Sequence, residues 1–347
     1  MRIKGTLCKG TLCIAIILAF WCCVSALGSP VRAAELKFGG IVNVDLYGSR
    51  QKNTDSTSDL KLDLIQLSLN SKINEHVSAD AVVKYEKGYE EDYIMSVDEA
   101  YLTLTGLTDL ALSIKAGRLY PPFGVFANHL VYYPLTQDKY QINPLAVSFI
   151  YTPEEAEGLD LSATAYSNKD SLFTDPNSED DLGNYILSAS FAPMKPFKLD
   201  IYFDSEKGAG GSRDDTRGSS LSAAYQDLSF DAEYIGALHR DDEHSKESAY
   251  TISGAYKVKP DLELAGRFEG YNDGVPGNQK FNDPNTIKDH NDDWVGLEYR
   301  VSAGVNYELY EHTNLMAEFR VSKVEGPVEG ADVSNVKDWT LRLSVEF

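Results

Sequence analysis

Arg267, Arg300, Arg320 and Arg342 each fall on the polar phase near the middle of four consecutive stretches of alternating sequence. If that phase holds, the four line one arc of a wall together. Asp80, Glu86 and Glu99 fall on the polar phase of two earlier stretches. A basic arc facing acidic groups sets a transverse field and filters solutes by charge and dipole. The same residues also suit ion pairs between neighbouring strands, Arg300 with Glu318 or Arg320 with Glu298, and the two roles are compatible.

Catalytic chemistry finds less support. The six histidines are His76, His129, His239, His244, His290 and His312. None stands in a nucleophile–base constellation, so no catalytic residue and no enzymatic activity is expected. Asp289, Asp292 and Asp293 lack the spacing of a dedicated cation loop and read as solvated charge. No metal and no cofactor is expected.

One linker is unusual. Residues 120–145, YPPFGVFANHLVYYPLTQDKYQINPL, are apolar for a surface loop. A segment with Phe123, Gly124, Phe126, Leu130, Tyr132 and Tyr133 should bury something, and a long packed loop tends to be functional. Folded inward, it would narrow a channel, with Phe123, Gly124, Phe126, Tyr132 and Tyr133 as constriction residues. An outer lid or a subunit contact are the other uses.

The elements that would carry these residues are strands. In DWTLRLSVEF, Trp339, Leu341, Leu343, Val345 and Phe347 share one face, and Thr340, Arg342, Ser344 and Glu346 the other. Such period-two alternation is a strand, and its length suits a tilted membrane crossing. A terminal Phe in phase with the apolar set resembles the assembly signal of bacterial outer-membrane barrels. The pattern recurs at Phe38–Leu46, Ala79–Tyr85, Ala232–Leu238, Val295–Asn306 and Leu315–Ser322.

About sixteen strands follow on this rule, centred near 42, 65, 82, 101, 114, 149, 163, 188, 201, 222, 233, 254, 266, 300, 318 and 342. Connections alternate between short turns and long polar loops, the outer-membrane arrangement, with residues 120–145 as the third long loop. The predicted fold is an all-β transmembrane antiparallel barrel with short periplasmic turns and long extracellular loops. The second strand shifts apolar phase between Leu64 and Ile65, which calls for a bulge. Alternation alone does not say which face is outside.

Residues 1–33 have the layout of a removable export signal: Arg2, Lys4 and Lys9, then an apolar run, then Val31 and Ala33 before the cleavage site. Residues 34–347 are then the barrel domain. All four cysteines lie in the removed part. Its loss takes away four basic and no acidic residues, moving the formal charge from −21 to −25. So acidic a chain is a poor nucleic-acid binder.

AGRLYPPFGVF (Ala116–Phe126) and YPLT (Tyr133–Thr136), preceded by VDEAYLTLTGL (Val97–Leu107), resemble the LbtU-type siderophore porin family of Gram-negative bacteria. The resemblance implies a sixteen-stranded outer-membrane channel, with members linked to ferric-siderophore uptake. After YPLT this chain reads QDKYQIN in place of an acidic continuation, and no binding residue carries over.

The function expected is a water-filled channel for passive or weakly selective diffusion of small solutes, ferric siderophores among them. A dedicated siderophore channel, an anion-selective porin, an outer-membrane enzyme and a plugged structural barrel are the other classes. A lysine-rich lumen would favour the anion channel, and the acidic balance argues against it. Expected partners are outer-membrane lipid and lipopolysaccharide, the barrel-assembly machinery through the strand ending at Phe347, small solutes, and two further copies in a homotrimer.

Overall fold

The computed structural model describes residues 35–51, 56–87, 93–107, 111–153, 156, 158–167, 182–194, 196–207, 213–239, 247–272, 297–324 and 334–347. The expected export signal, most of the long loops, His244, His290 and the Asp289–Asp293 cluster lie outside these residues.

The chain forms sixteen strands: β1 (Glu35–Gln51), β2 (Thr57–Lys72), β3 (Val77–Lys87), β4 (Tyr93–Thr105), β5 (Leu112–Arg118), β6 (Leu145–Tyr151), β7 (Leu159–Ser167), β8 (Asn184–Met194), β9 (Phe197–Lys207), β10 (Arg213–Tyr225), β11 (Leu228–His239), β12 (Ser248–Lys259), β13 (Leu262–Asn272), β14 (Leu297–Tyr310), β15 (Thr313–Val324) and β16 (Ser334–Glu346). Each pairs antiparallel with its sequence neighbours, and β1 pairs with β16 to close the ring. Every expected centre falls within a strand. Closure leaves no free sheet edge. At the seam the Phe347 amide donates to the Gly40 carbonyl at 3.1 Å, and the Gly40 amide donates back at 2.9 Å. A Cβ on Gly40 would lie 2.5 Å from the Phe347 ring, so only glycine lets that ring lie over the first strand.

The structure settles which face is outside. On β16, Trp339, Leu341, Leu343 and Val345 are exposed, whereas Asp338, Thr340 and Ser344 are buried. Phe319 on β15, Val301 on β14 and Leu264 and Phe268 on β13 continue the exposed apolar band. Apolar outside and polar inside is the inverse of a soluble barrel and matches a lipid surround.

Two of the ladder's register shifts bear on the inner wall. Asn43 pairs with Leu64 and Val44 with Leu62, which makes Asp63 the extra residue. This accounts for the phase shift in β2: Leu60 and Leu67 are exposed, while Leu64, which a straight strand would place on the face of Leu60, is buried. The second bulge makes Asp98 the extra residue, since Val82 pairs with Glu99 and Val83 with Val97. Both bulges add a carboxylate to the inner side.

Between β5 and β6, residues 119–144 fold into the barrel. They include α1 (Leu135–Tyr140), a single turn and a half that packs on β11, β12 and β13.

The inner loop and the wall that holds it

An irregular segment inside a barrel must satisfy its peptide groups without a ladder. Here the wall supplies partners, one residue at a time. Three buried carboxylates accept loop amides: Glu233 from Val125 at 2.7 Å, Glu318 from Tyr132 at 2.9 Å and Glu269 from Leu135 at 2.6 Å. Glu233 also accepts the hydroxyls of Tyr202 and Thr136, each at 2.6 Å. Three wall donors hold loop carbonyls. Asn306 donates to His129 at 2.8 Å, Arg342 to Val131 at 3.2 Å, and Arg267 to Tyr132 at 2.9 Å and Tyr133 at 3.2 Å. The loop's return is tied to the bulge residue: Tyr120 and Asn143 both donate to Asp98, at 2.8 and 3.3 Å.

Apolar contacts complete the seat. Leu119, Phe123, Leu135 and Tyr140 pack with Ala146, Tyr166, Ile186, Tyr202, Ile235, Ala249 and Leu297 from the wall. Phe123 meets Tyr202 edge-on, ring centres 5.0 Å apart. Leu130 sits against Ala255 and Ala265 and over Gly304, where a Cβ would lie 2.5 Å from the leucine methyl. The bend at Gly124 has φ +83° and is filled by the Phe126 ring, so a side chain there is excluded twice over.

The four arginines all lie on the inner wall, in one arc over β13–β16 as their phase predicts. They face the loop and carboxylates. Arg267 is within 3.1 Å of Glu269 and 3.8 Å of Glu318; the first contact is close enough for an ion pair but misaligned for a hydrogen bond. Arg300 lies 3.7 Å from the same Glu269. Arg320 pairs with Asp338 at 3.0 Å and stacks over the Tyr132 ring. The predicted Arg320–Glu298 pair does not form, because Asp338 is its direct cross-strand neighbour and Glu298 pairs with Lys323. Arg342 grips Asp45 through two bonds of 2.7 and 2.8 Å and reaches the bulge carboxylate Asp63 at 2.5 Å.

Asp80, Glu86 and Glu99 lie on the inner side of β3 and β4. Ring order follows chain order, so they flank the arc rather than face it. Asp80 accepts from Asn70 at 2.6 Å. Of the five loop residues, Phe123 is buried in the apolar seat, Gly124, Phe126 and Tyr132 are partly covered, and Tyr133 is exposed. Sequence spacing missed Glu233, Glu269, Asp45, Asp63 and Asp98, and named Glu318 only as a partner for Arg300, not for the loop. Their polar phase on a strand was visible, but only the path of the loop makes them its partners.

Open space remains beside the loop. A cavity of about 500 Å³ lies between Pro122, Gly124 and Val125 and the inner faces of β6–β9, with Asp160, Lys198 and Asp200 on its wall. A second, of about 220 Å³, is lined by Phe123, Lys139, Asp204, Glu206 and Asp214. Along β9 they are separated by Tyr202, held against Phe123.

His129 at the loop tip lies 3.4 Å from Asp231 and 3.3 Å from Glu263. Hydrogen bonding to Asp231, with the charge of both carboxylates, raises its pKa above the ordinary imidazole value. A raised folded value means that this anchorage is complete below about pH 6.5 and is lost as pH rises through the raised value. Hydrogen exchange of the 126–132 amides is therefore expected to speed up from about pH 6 to about pH 9 beyond the intrinsic rate, and the excess to vanish in His129→Gln. An equal excess in the variant would exclude His129 as the cause.

A comparison of the sequence with curated proteins gives no match. Solved structures share the fold. Pseudomonas putida OprB, determined at high pH, is 11% identical with a TM-score of 0.66, covering 90% of this chain and 94% of that one. The anion-selective porin of Comamonas acidovorans is 13% identical with a TM-score of 0.58 over 90% and 100% of the two chains. The trimer form of in-vitro folded OmpT from Vibrio cholerae is 12% identical with a TM-score of 0.55 over 91% and 100%. The family model for Gram-negative porins matches residues 19–327. A match over most of the sequence places the chain among outer-membrane channels rather than enzymes: it belongs to the Gram-negative porin family.

Proposed function

We propose that the protein is a passive, weakly selective channel for small hydrophilic solutes. The observation that carries this reading is the hollow, polar interior of a ring that is apolar outside, narrowed by an anchored loop but not filled by it. The acidic groups Asp80, Glu86 and Glu99 act on solutes through the field of the lumen, while the arginine arc holds the loop in place. Tyr133 and Phe126 border the narrowed passage, and Phe123 sets its width from beneath. Residues 1–33 serve as the export signal, residues 34–347 form the barrel, and the strand ending at Phe347 is read by the assembly machinery. The long loops face outward toward lipopolysaccharide and the short turns face the periplasm. A homotrimer is supported by the strand number and by the trimeric neighbour of the same fold.

Purified protein in planar bilayers is expected to give discrete open-channel conductance; a silent bilayer at saturating protein would sink the reading. Ferric-siderophore uptake is a second reading, favoured by one observation: the stretch resembling the LbtU-type family is the one that builds the inner loop. Labelled ferric-siderophore uptake in a deletion strain separates it from general diffusion.

A further inference from the structure

Four arginines on one wall would ordinarily mark an anion path. The loop covers them. Their side chains are only 1% (Arg267), 3% (Arg300), 15% (Arg320) and 14% (Arg342) exposed, and each has a carboxylate within 4 Å. A covered and paired charge contributes little to the potential in the open space.

The uncovered wall has the opposite sign. On β7–β10 the inward charged groups are Asp160, Asp200, Asp204, Glu206 and Asp214, with Lys198 as the one cation. Lys198 is spent on Asp200 at 3.0 Å. Among the described residues, Asp160, Asp204, Glu206 and Asp214 have no cationic partner within ion-pair distance. The single Tyr166 hydroxyl is shared between Asp204 at 2.8 Å and Glu206 at 2.9 Å, and Asp214 is the cross-strand neighbour of Glu206. Four further lysines reach the lumen: Lys61 and Lys84 are paired with Asp63 at 2.7 Å and Asp98 at 2.9 Å, and Lys139 and Lys115 lie over the rings of Tyr271 at 4.7 Å and Tyr101 at 5.1 Å. The two cavities on the β6–β10 wall therefore open on carboxylates, whereas a third, of about 270 Å³ and lined by the loop alone, carries no charged group.

We infer that solutes pass along β7–β10 and that the channel selects small cations, with Asp204, Glu206 and Asp214, next to the Phe123–Tyr202 contact, as its selectivity determinants. The loop thus inverts the sign that the arginine arc would give the bare ring. This inference rests on the channel reading above and names its solute class.

The test is the reversal potential of the full-length protein in planar bilayers under a KCl gradient. Potassium is expected to be favoured over chloride by about threefold or more at low salt, the effect of roughly one uncompensated charge a few ångströms from the path. The triple variant Asp204→Asn, Glu206→Gln, Asp214→Asn keeps shape and hydrogen-bonding atoms and is expected to bring the ratio close to one. A second measurement needs no variant: selectivity should decay between about 0.1 M and about 1 M salt, as the screening length falls from about 10 Å to about 3 Å. A reversal potential near zero or of anion sign would overturn the inference while leaving the channel intact, as would a triple variant with the original ratio. No current at all would instead remove the channel reading and this inference with it.

Discussion

Excising residues 121–142 and rejoining Tyr120 to Asn143 through two glycines is expected to raise single-channel conductance by about threefold or more, as in wide rings without an internal narrowing. The ends permit it. The Leu119 amide already donates to the Pro144 carbonyl at 3.3 Å, so the stub continues the β5–β6 hairpin. None of the ladder bonds that close the ring involves the excised residues, so assembly should proceed, with a folded band on unheated gels. Cation preference should fall in the same variant, because the arginine arc is uncovered. Unchanged conductance in a properly folded variant would show that the narrowing lies elsewhere, in loops outside the described residues.

The second large effect is expected at Glu269. Its carboxylate is fully buried and takes the Leu135 amide on one oxygen, while the guanidinium groups of Arg267 and Arg300 lie within 3.1 and 3.7 Å of the other. Glu269→Leu removes the one anion that both share at this point. Losing one side of a buried ion pair costs about 3–5 kcal/mol, mostly from the charge left behind. The loss should fall on the loop, since Glu269's place in the β13 ladder needs only its backbone. Hydrogen exchange over residues 131–137 should rise sharply, and the heat-modified gel transition should move to lower temperature. Glu269→Gln, which keeps an acceptor for Leu135, should sit between. Wild-type protection in Glu269→Leu would mean that the apolar seat alone holds the loop.

Much of the barrel was legible because a lipid-facing strand has to repeat every second residue, and Trp339 to Phe347 shows that repeat without interruption. The arginine arc was legible for the same reason: four residues on one phase of four consecutive strands must share a wall. What the arc touches was not legible. Glu269 is two residues from Arg267 on β13 and Glu318 lies two strands away on β15, but the loop amides of Leu135 and Tyr132 reach them from more than a hundred residues away. No local spacing encodes that. The loop itself was visible as an apolar stretch in a polar place, yet its composition did not tell Phe123, which is buried, from Tyr133, which is exposed. Both are aromatic, and only the seat formed by Tyr202, Ile186 and Ile235 separates them.

The bulges at Asp63 and Asp98 have a consequence for redesign. A regular strand delivers an inward side chain only at every second residue, about 7 Å apart, so its inner wall has a fixed pitch. A one-residue insertion breaks that pitch and sets two neighbours on the same side, while the outward sequence on either flank stays in phase with the lipid. Charge can thus be concentrated at one height of the passage without a single substitution on the membrane side. For a ring of this kind, insertion is a gentler tool than replacement for retuning what passes.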